Sequence, residues 1–313
     1  MPTAVSLFSG CGGSDLGLAE AGYDVIMAND VMPYAADFYR CNLPDTDYKL
    51  CDIREMISFP KADLLVGCYP CQGFSEGGAR DAARPINYLY REFDRALRYI
   101  KPKAFIVENV SGMTRANNAS LLKNQIVRFR LAGYRVQHKI LDAIDFGVPQ
   151  RRRRLFFVGI RSDIDFKFKF PDGWDGTRRL PGSRTIREAL TGMPMWPEED
   201  TYDRQPFHWY YLSRNRRKEW DEASATVVAH SRHVGLHPVS PPLKKEGPDR
   251  WRFLRDEPAR RFTYQECSRL QGFPHGISFP ETGGLKMRYR IIGNAVPPPV
   301  FAAVASSLSV AVS

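Results

Sequence analysis

Two patterns of apolar residues alternate along the first half of the chain. Short apolar runs end in glycine, proline or polar residues, which is typical of strands buried in a parallel sheet. Between these runs, apolar residues recur every three or four positions and predict helices that pack on the sheet. The alternation therefore predicts an α/β fold. The predicted strands are residues 4–8, 24–29, 48–51, 62–66, 104–107, 136–141 and 155–160, and two of the predicted helices are 89–100 and 117–131.

The pattern changes after residue 170, where Gly, Pro, Trp and Arg are frequent and long apolar periods are missing. Such a change in composition is a usual sign of a domain boundary. We therefore predict a core over residues 1–170, a smaller domain over residues 171–260, and a C-terminal segment over residues 261–313 that returns to the core.

The C-terminal segment contains two helix signals. Thr263 precedes a short amphipathic stretch and is a predicted helix cap. Gly293, Asn294 and Pro297 predict a turn that begins an apolar terminal helix.

Charge is distributed unevenly along the 313 residues, whose net charge is +10. Residues 1–79 carry 4 Lys or Arg and 11 Asp or Glu, whereas residues 80–170 carry 20 and 8. A basic region beside a catalytic site would suit the phosphate backbone of a nucleic acid. A solvated basic surface explains the same charge, so composition alone leaves both interpretations open.

Composition also bears on the cellular compartment. The chain has no run of about 18 apolar residues, so no membrane span is predicted. The N-terminal sequence MPTAVSLF has neither a basic lead nor a cleavage pattern, which argues against export. Six irregularly spaced cysteines fit reduced thiols better than a disulfide framework. We therefore expect a cytoplasmic protein.

A glycine-rich turn follows the first predicted strand. Gly10, Gly12 and Gly13 lie between the strand and the first helix, as in many nucleotide-binding folds. The third glycine of a dinucleotide fingerprint would fall at Asp15, so a nicotinamide cofactor is not favoured.

Two acidic residues follow the next two predicted strands. Asp30 lies 20 residues beyond Gly10 and is placed to accept hydrogen bonds from a ribose, and Asp52 follows the third strand. Either acid alone could simply cap a helix or a turn. Together with the glycine turn they predict a nucleoside pocket without a pyrophosphate site, which S-adenosylmethionine fits.

The segment GCYPCQGFS, residues 67–75, contains a candidate nucleophile, Cys71. Cys71 follows the carboxyl end of a predicted buried strand, where open α/β sheets place their chemistry. Pro70 restricts the backbone before it. Cys68 and Cys71 also have the spacing of a redox or zinc pair, although no second such pair follows. A lone cysteine in this position is otherwise a packing residue.

The run QRRRR places four arginines, Arg151 to Arg154, at the start of a predicted strand. Alternation in a strand directs Arg152 and Arg154 to one face, and Arg151 and Arg153 to the other. One pair can therefore line a pocket while the other pair stays in solvent or contacts phosphate. A solvated charge patch or a targeting signal is the alternative interpretation.

The predicted smaller domain combines aromatic, basic and histidine residues. HWYYLSRNRRKEW, residues 208–220, suits contact with base edges, and a loop-rich insertion packed by its aromatics is the alternative. His230, His233 and His237 lack cysteine or acid partners at a standard zinc spacing, so no metal site is predicted.

Taken together, six segments resemble the cytosine-C5 DNA methyltransferase family: LFSGCGG, GCYPCQGFS, ENV, QRRRR, LQGFP and GNAVP. Their order and spacing agree with that family over nearly the whole chain. The resemblance implies a Rossmann-like, S-adenosylmethionine-dependent methyltransferase core with a smaller target-recognition domain. It further implies that the protein acts as a monomer on double-stranded DNA, with a possible cognate restriction endonuclease.

The resemblance also implies roles for particular residues. Cys71 would add to C6 of a flipped-out cytosine, and Glu108 would hydrogen bond or protonate N3. Arg152 would lie near the base oxygen, with Arg154 beside it as a support. The implied cofactor residues are Phe8, Gly10, Gly12, Gly13, Asp30, Asp52, Ile53, Pro70, Leu89, Asn294 and Val296.

Three alternatives remain at this point. A related enzyme of the same fold would methylate cytosine in tRNA, a non-catalytic relative would only bind DNA, and a redox protein would use Cys68 with Cys71. The chain also departs from the family in three places, one of which is the loop predicted after Cys71, where the usual acid-x-Arg pattern is missing around Arg84 to Asn87. Asp30 replaces the usual glutamate, and Tyr69 replaces a common proline before Pro70.

Overall fold

A seven-stranded sheet forms the centre of the computed structural model, which describes residues 1–70, 88–173 and 184–312. Each predicted strand is present, with ends within three residues of those expected from the apolar runs. The α/β fold class is thereby confirmed. The strands are β1 (Thr3–Leu7), β2 (Asp24–Asp30), β3 (Asp47–Leu50), β4 (Leu64–Gly67), β5 (Ala104–Val110), β6 (Tyr134–Asp142) and β7 (Arg153–Arg161).

The strand order is β3-β2-β1-β4-β5-β7-β6. β1 pairs in parallel with β2 on one side and with β4 on the other, and β7 is antiparallel to both of its neighbours. The chain therefore changes direction across the sheet between β1 and β4. Ligands of open α/β sheets bind outside the carboxyl ends of the strands at such a point.

Helices cover both faces of the sheet. On one face, Leu18 and Phe301 pack with apolar residues of the central strands, and on the other face Phe93 and Phe129 do the same. Most residues of β4 and β5 are buried, as expected of strands covered on both sides. The helices are α1 (Gly13–Glu20), α2 (Pro33–Asn42), α3 (Tyr90–Ile100), α4 (Ala119–Leu131), α5 (Ile186–Ala189), α6 (Tyr264–Leu270), α7 (Leu285–Asn294), α8 (Pro298–Ser306) and α9 (Ser309–Val312).

The predicted cap of α6 is present, whereas the turn predicted at Gly293, Asn294 and Pro297 is only partly correct. Thr263 accepts a hydrogen bond from the Glu266 main-chain N–H and completes a capping box. Gly293 and Asn294, which we expected in a turn, are instead the last residues of α7. The turn begins only at Ala295. The glycine here serves a close contact between main chains, described below, and not a turn.

The region between residues 184 and 260 has little regular structure beyond α5 and a hairpin of β8 (Leu243–Gly247) and β9 (Arg250–Phe253). Its apolar residues are nevertheless part of a shared core. Ile186, Val227 and Val234 pack in one cluster with Tyr34 and Tyr289, which belong to α2 and α7. Across the described ranges, no helix has both the length and the apolar character needed to cross a bilayer.

Candidate active site

A cleft of about 640 Å³ opens at the carboxyl edge of the sheet, where the chain changes direction between β1 and β4. Its walls come from the carboxyl ends of five strands, β1 to β5, from the start of β7, and from the end of α7 with the residues that follow it. Most described residues predicted for the site line this one cleft. They are Phe8, Gly10, Asp30, Asp52, Ile53, Pro70, Leu89, Glu108, Arg152, Arg154, Asn294 and Val296.

The glycine turn contributes Gly10 to the lining of the cleft. Gly12 has a φ of 83°, in the left-handed region that favours glycine, and it caps α1. Phe8 also has a positive φ, of 58°, and non-glycine residues are held in that region mainly at functional sites. Gly12 and Gly13 lie behind the lining, and a methyl group on Gly13 would overlap the Val296 carbonyl oxygen. The turn is therefore fixed against the segment after α7.

The Asp30 carboxylate is held by three main-chain N–H groups at the end of β2. Its Oδ2 accepts from Gly10 at 3.0 Å, and its Oδ1 accepts from Val31 at 2.7 Å and from Met32 at 3.0 Å. Burial raises the pKa of Asp30, and these hydrogen bonds oppose the rise. The carboxylate is thus fixed in orientation at the wall of the cleft.

Asp52 also lines the cleft, but its electrostatic surroundings differ from those of Asp30. It caps a short turn, and it accepts from the Arg54 main chain at 2.9 Å and from the Arg54 side chain at 2.5 Å. The hydrogen bonds from Arg54 lower the pKa of Asp52. The next residue, Ile53, is buried in the same apolar cluster as Tyr69. This wall therefore offers an ionised acid beside an apolar surface.

Asp15 is buried beneath the glycine turn and is absent from the cleft lining. It accepts hydrogen bonds from the hydroxyls of Ser6 at 2.6 Å and Ser14 at 2.9 Å. Its burial raises its pKa. The residue in the place of the third fingerprint glycine is therefore part of the support under the turn.

Glu108 and Arg154 form an ion pair at the base of the cleft. The Arg154 Nε lies 3.1 Å from the Glu108 Oε1, because the start of β7 runs antiparallel beside the end of β5. Burial raises the pKa of Glu108, and the charges of Arg154 and Arg152 oppose the rise. The result is a carboxyl group that protonates more readily than an exposed one.

Arg152 has a different set of contacts. Its Nη1 donates to the Val227 carbonyl at 3.1 Å, and its Nη2 donates to the carbonyls of Gly293 and Ala295 at 3.0 Å each. The resemblance implied that Arg152 lies nearest the base and that Arg154 supports it. In the structure Arg154 pairs with Glu108, whereas Arg152 ties the Val227 segment to the segment that contains Gly293 and Ala295, so the order of the two arginines around a base remains a prediction.

The expected alternation of the arginine run is confirmed. Arg152 and Arg154 line the cleft, whereas Arg151 and Arg153 are exposed. The strand geometry of QRRRR therefore separates a pocket pair from a surface pair, as its period predicts.

Cys71 and residues 72–87 lie outside the described residues, as do residues 174–183. The nucleophile and the flanking loop predicted after it remain predictions. Pro70, which directly precedes Cys71, lines the cleft.

Several lining residues were not predicted from the sequence. Val31 directly follows the predicted site residue Asp30, and this adjacency could have indicated it. Arg290 is on α7, a helix that the sequence analysis did not predict, so no signal pointed to it. Tyr69 lines the cleft while its hydroxyl donates to the Gln125 Oε1 at 2.7 Å, and its ring lies 6.0 Å from that of Phe8. The tyrosine thereby fills a buried space behind the cofactor wall.

His230, His233 and His237, for which no metal site was predicted, contact one another or the main chain. The rings of His230 and His233 stack at 4.6 Å, and the His237 Nδ1 accepts from the Val239 N–H at 3.1 Å. Within the residues that the structure describes, no three His, Cys, Asp or Glu side chains are grouped to hold a metal ion.

Similarity to known proteins extends over nearly the whole chain. The model of the family described as C-5 cytosine-specific DNA methylase matches residues 3–310. The type II methyltransferase M.BsuRI of Bacillus subtilis is 36% identical over 97% of this chain and 78% of its own. The type II methyltransferase M.NgoPII of Neisseria gonorrhoeae is 36% identical over 94% of this chain and 91% of its own.

Solved structures show the same fold. The S. pombe Dnmt2 methyltransferase has a TM-score of 0.71 and 19% identity, with 98% of each chain covered. The Entamoeba histolytica methyltransferase EhMeth also has a TM-score of 0.71, with 17% identity and 98% of each chain covered. With the whole-length family match and relatives above 30% identity, the chain belongs to the C-5 cytosine-specific DNA methylase family.

Proposed function

We propose that this enzyme transfers a methyl group from S-adenosylmethionine to C5 of cytosine in double-stranded DNA. One observation carries the proposal. The buried Glu108–Arg154 pair and the two strand-end acids, Asp30 and Asp52, line the same cleft. A site for the pyrimidine edge and a site for a nucleoside are thus adjacent.

The side chains present fit S-adenosylmethionine. A carboxylate held by three N–H groups, Asp30, suits the hydroxyls of a ribose. Phe8, Ile53 and Leu89 supply apolar surface for a flat base, and Asp52 supplies an acceptor beside it. When bound, S-adenosylmethionine provides a methyl group on a positively charged sulfur. These residues would hold its nucleoside part, while Asn294 and Val296 line the opposite wall.

Cytosine C5 is too weak a nucleophile to accept a methyl group unaided. Addition of the Cys71 thiolate to C6 would form a C6–S bond and move the electron pair of the C5–C6 double bond towards C5. After methylation, water or another base takes the C5 proton. The C6–S bond then breaks, which restores the double bond and the thiolate.

Glu108 is placed to act on the far edge of the base. Its raised pKa favours the protonated acid, which can donate to N3 as negative charge develops on the ring. Arg154, already paired with this acid, is the guanidinium best placed to stabilise charge on the base oxygen. Arg152 would act indirectly, since its donors are directed at main-chain carbonyls.

The nucleic acid requires further parts of the chain. A cytosine must leave the helix stack to reach a buried acid, at a cost of about a few kcal/mol. We propose that residues 171–260 form the target-recognition region that contacts the opened helix, and that the loop after Cys71 closes over the base. Since the curated relatives are type II methyltransferases, a cognate restriction endonuclease is a proposed partner, and the enzyme would act as a monomer.

A redox function is disfavoured by the setting of Cys68. Burial, with the charges of Glu108 and Asp15 nearby, raises the pKa of this thiol well above its usual value. Redox pairs depend on an activated thiolate, so Cys68 is a poor member of one.

The test is transfer of labelled methyl from S-adenosylmethionine to unmethylated phage DNA and, at equal salt, to tRNA. We expect transfer to DNA by the wild type and none by Cys71→Ala. Cys41→Ala is the matched control, because Cys41 is exposed and does not line the cleft. Full activity of Cys71→Ala would exclude the covalent mechanism, and preference for tRNA would reassign the substrate. Sequencing methylated cytosines in the product would identify the recognised site.

A further inference from the structure

Val227 lies in the proposed recognition region, and two side chains of the QRRRR segment hydrogen bond to its main-chain N–H and carbonyl groups. Its N–H donates to the Gln150 Oε1 at 2.9 Å, and its carbonyl accepts from the Arg152 Nη1 at 3.1 Å. The two side chains share a face because they are two positions apart on an extended chain. The short segment around Val227 is thus fixed to the beginning of β7.

The same side chains also hold the turn after α7. The Arg152 Nη2 donates to the carbonyls of Gly293 and Ala295 at 3.0 Å. The Gln150 Nε2 donates to the Gln271 Oε1 at 2.5 Å, and the Gln271 Nε2 donates to the Ala295 carbonyl at 2.5 Å. We call Gln150, Arg152 and Gln271 the bracket.

The bracket is buried, and the two main-chain segments that it joins, 224–229 and 293–296, are in direct contact. Gln150 and Gln271 are 0% exposed and Arg152 is 2% exposed, so their hydrogen bonds are strong and costly to break. A methyl group on Gly293 would overlap main-chain atoms of Val228 and Ala229. Movement of segment 224–229 towards Gly293 would therefore push the end of α7, and movement of Gly293 would push that segment.

Each end of the bracket leads to a different ligand site. Residues 293–296 line the cleft on the proposed cofactor side. The segment 224–229 is joined to the arginine run by further bonds, from Arg151 N to the Ser224 carbonyl and from the Thr226 hydroxyl to the Arg151 carbonyl. It continues directly into the exposed His230 of the recognition region.

We propose that the bracket couples DNA binding by the recognition region to cofactor binding at residues 293–296, with Gln271 as a positioning residue. The inference rests on the proposed function. Because the bracket holds segment 224–229 and residues 293–296 as one unit, contacts that DNA makes to the segment would also act on the turn that lines the cofactor wall, so binding of one ligand would favour the arrangement that binds the other. Thermodynamic linkage requires the effect to be reciprocal.

The test uses Gln271→Met, which has a similar shape and removes the side-chain links to Ala295 and Gln150. No buried partner loses every hydrogen bond, because the Ala295 carbonyl keeps Arg152 and the Gln150 Nε2 keeps the Leu270 carbonyl at 3.1 Å. The dissociation constant of S-adenosylhomocysteine is measured with and without sheared, unmethylated phage DNA. That of the DNA is measured with and without S-adenosylhomocysteine.

We expect each ligand to tighten the other in the wild type by about tenfold or more, a usual coupling between sites. In Gln271→Met the coupling should fall below about threefold, with each ligand alone bound nearly as before. Ser268→Ala is the matched control, since it removes a partly buried side-chain hydrogen bond of α6, the helix that Gln271 caps, outside the bracket. Its coupling should stay at the wild-type value. Thr226→Val, at an exposed position, should lower the coupling without risk to folding.

Unchanged coupling in both Gln271→Met and Thr226→Val would overturn the inference, as would a wild type that binds both ligands independently. An equal loss in Ser268→Ala would indicate a general stability effect and would also overturn it. These results leave the proposed function intact because they depend on binding and not on turnover. A wild type that binds neither ligand would refute both.

Discussion

The Arg154 Nε lies 3.1 Å from the Glu108 Oε1 in a buried place where β5 and β7 run antiparallel. The guanidinium offsets the burial of a carboxyl group that would otherwise be neutral. Under the proposed function, a pyrimidine that enters the cleft would hydrogen bond to both members along one edge. The ion pair would then be a preformed recognition element for a neutral, polar ring.

Glu108→Gln tests the acid at this edge. The pKa of Glu108 is raised, so the required protonated form persists to a higher pH than usual and is lost as pH rises through that pKa. The amide of the variant would donate at every pH but could not transfer a proton, so we expect activity to fall about 100-fold or more. The alkaline fall in the rate of methyl transfer should also disappear. A variant with an unchanged alkaline limb would show that another group controls it.

The two pocket arginines should respond differently to lysine. Arg154→Lys should lower kcat about 100-fold with little change in stability, because a single ammonium replaces a fork that faces the acid. Arg152→Lys should lower the free energy of unfolding by about 2–3 kcal/mol, because three buried carbonyls lose a shared donor. Urea unfolding and steady-state kinetics on both variants check this division. Equal effects of the two substitutions would contradict it.

Gly293→Ala should destabilise the protein although alanine favours helices. Gly293 is in α7, where alanine would contribute up to about 1 kcal/mol by propensity. The added methyl overlaps main-chain atoms of Val228 and Ala229, and such overpacking costs about 1–3 kcal/mol or more. We expect a net loss of stability in urea unfolding and weaker S-adenosylhomocysteine binding. Gly247→Ala, with no atom within 4 Å of the new methyl, should change stability by less than about 0.5 kcal/mol.

His237 should make stability depend on pH. Burial, with Arg260 and Arg217 nearby, lowers its pKa to about 2 from 6.5. The unfolded chain therefore binds a proton that the folded chain does not, and this contribution to stability is full above pH 6.5 and falls at lower pH. The loss should reach about 1.4 kcal/mol for each pH unit below 6.

His237→Asn is the variant for this effect, since asparagine can also accept from the N–H two residues on. Urea unfolding at pH 7.5 and pH 5 should show a smaller acid loss than in the wild type. His233, whose pKa burial and its cationic neighbours lower to about 4, accounts for part of the loss that remains. An identical loss in both proteins would exclude His237 as a source.

Local pattern was sufficient for the strands and for much of the site. The apolar runs of β1, β4 and β5 are bounded by turn residues, and burial on both faces requires that composition whatever the neighbours are. Asp30 was found because it follows such a run and the carboxyl ends of parallel strands share one edge, whereas the role of Glu108 came from the family resemblance. The period of two in QRRRR likewise fixed which arginines face inward.

The roles within the arginine pair could not be found in this way. Alternation places Arg152 and Arg154 on one face but does not say what each donates to. That depends on Glu108, Val227 and Ala295, which the fold brings together from distant parts of the chain. Similarly, Gly293 was predicted in a turn because glycine is common in turns. Only the close approach of the Val228 main chain shows why a helix has glycine at this position.

By itself, then, the sequence determined the class of fold, the edge that carries chemistry and the residue types available there, because burial and periodicity act over a few neighbouring residues. The tertiary structure alone decided which donor meets which acceptor, and how the segment at Val227 is tied to the turn at Ala295. Those contacts join residues far apart in the chain, and their geometry depends on the packing of several elements at once.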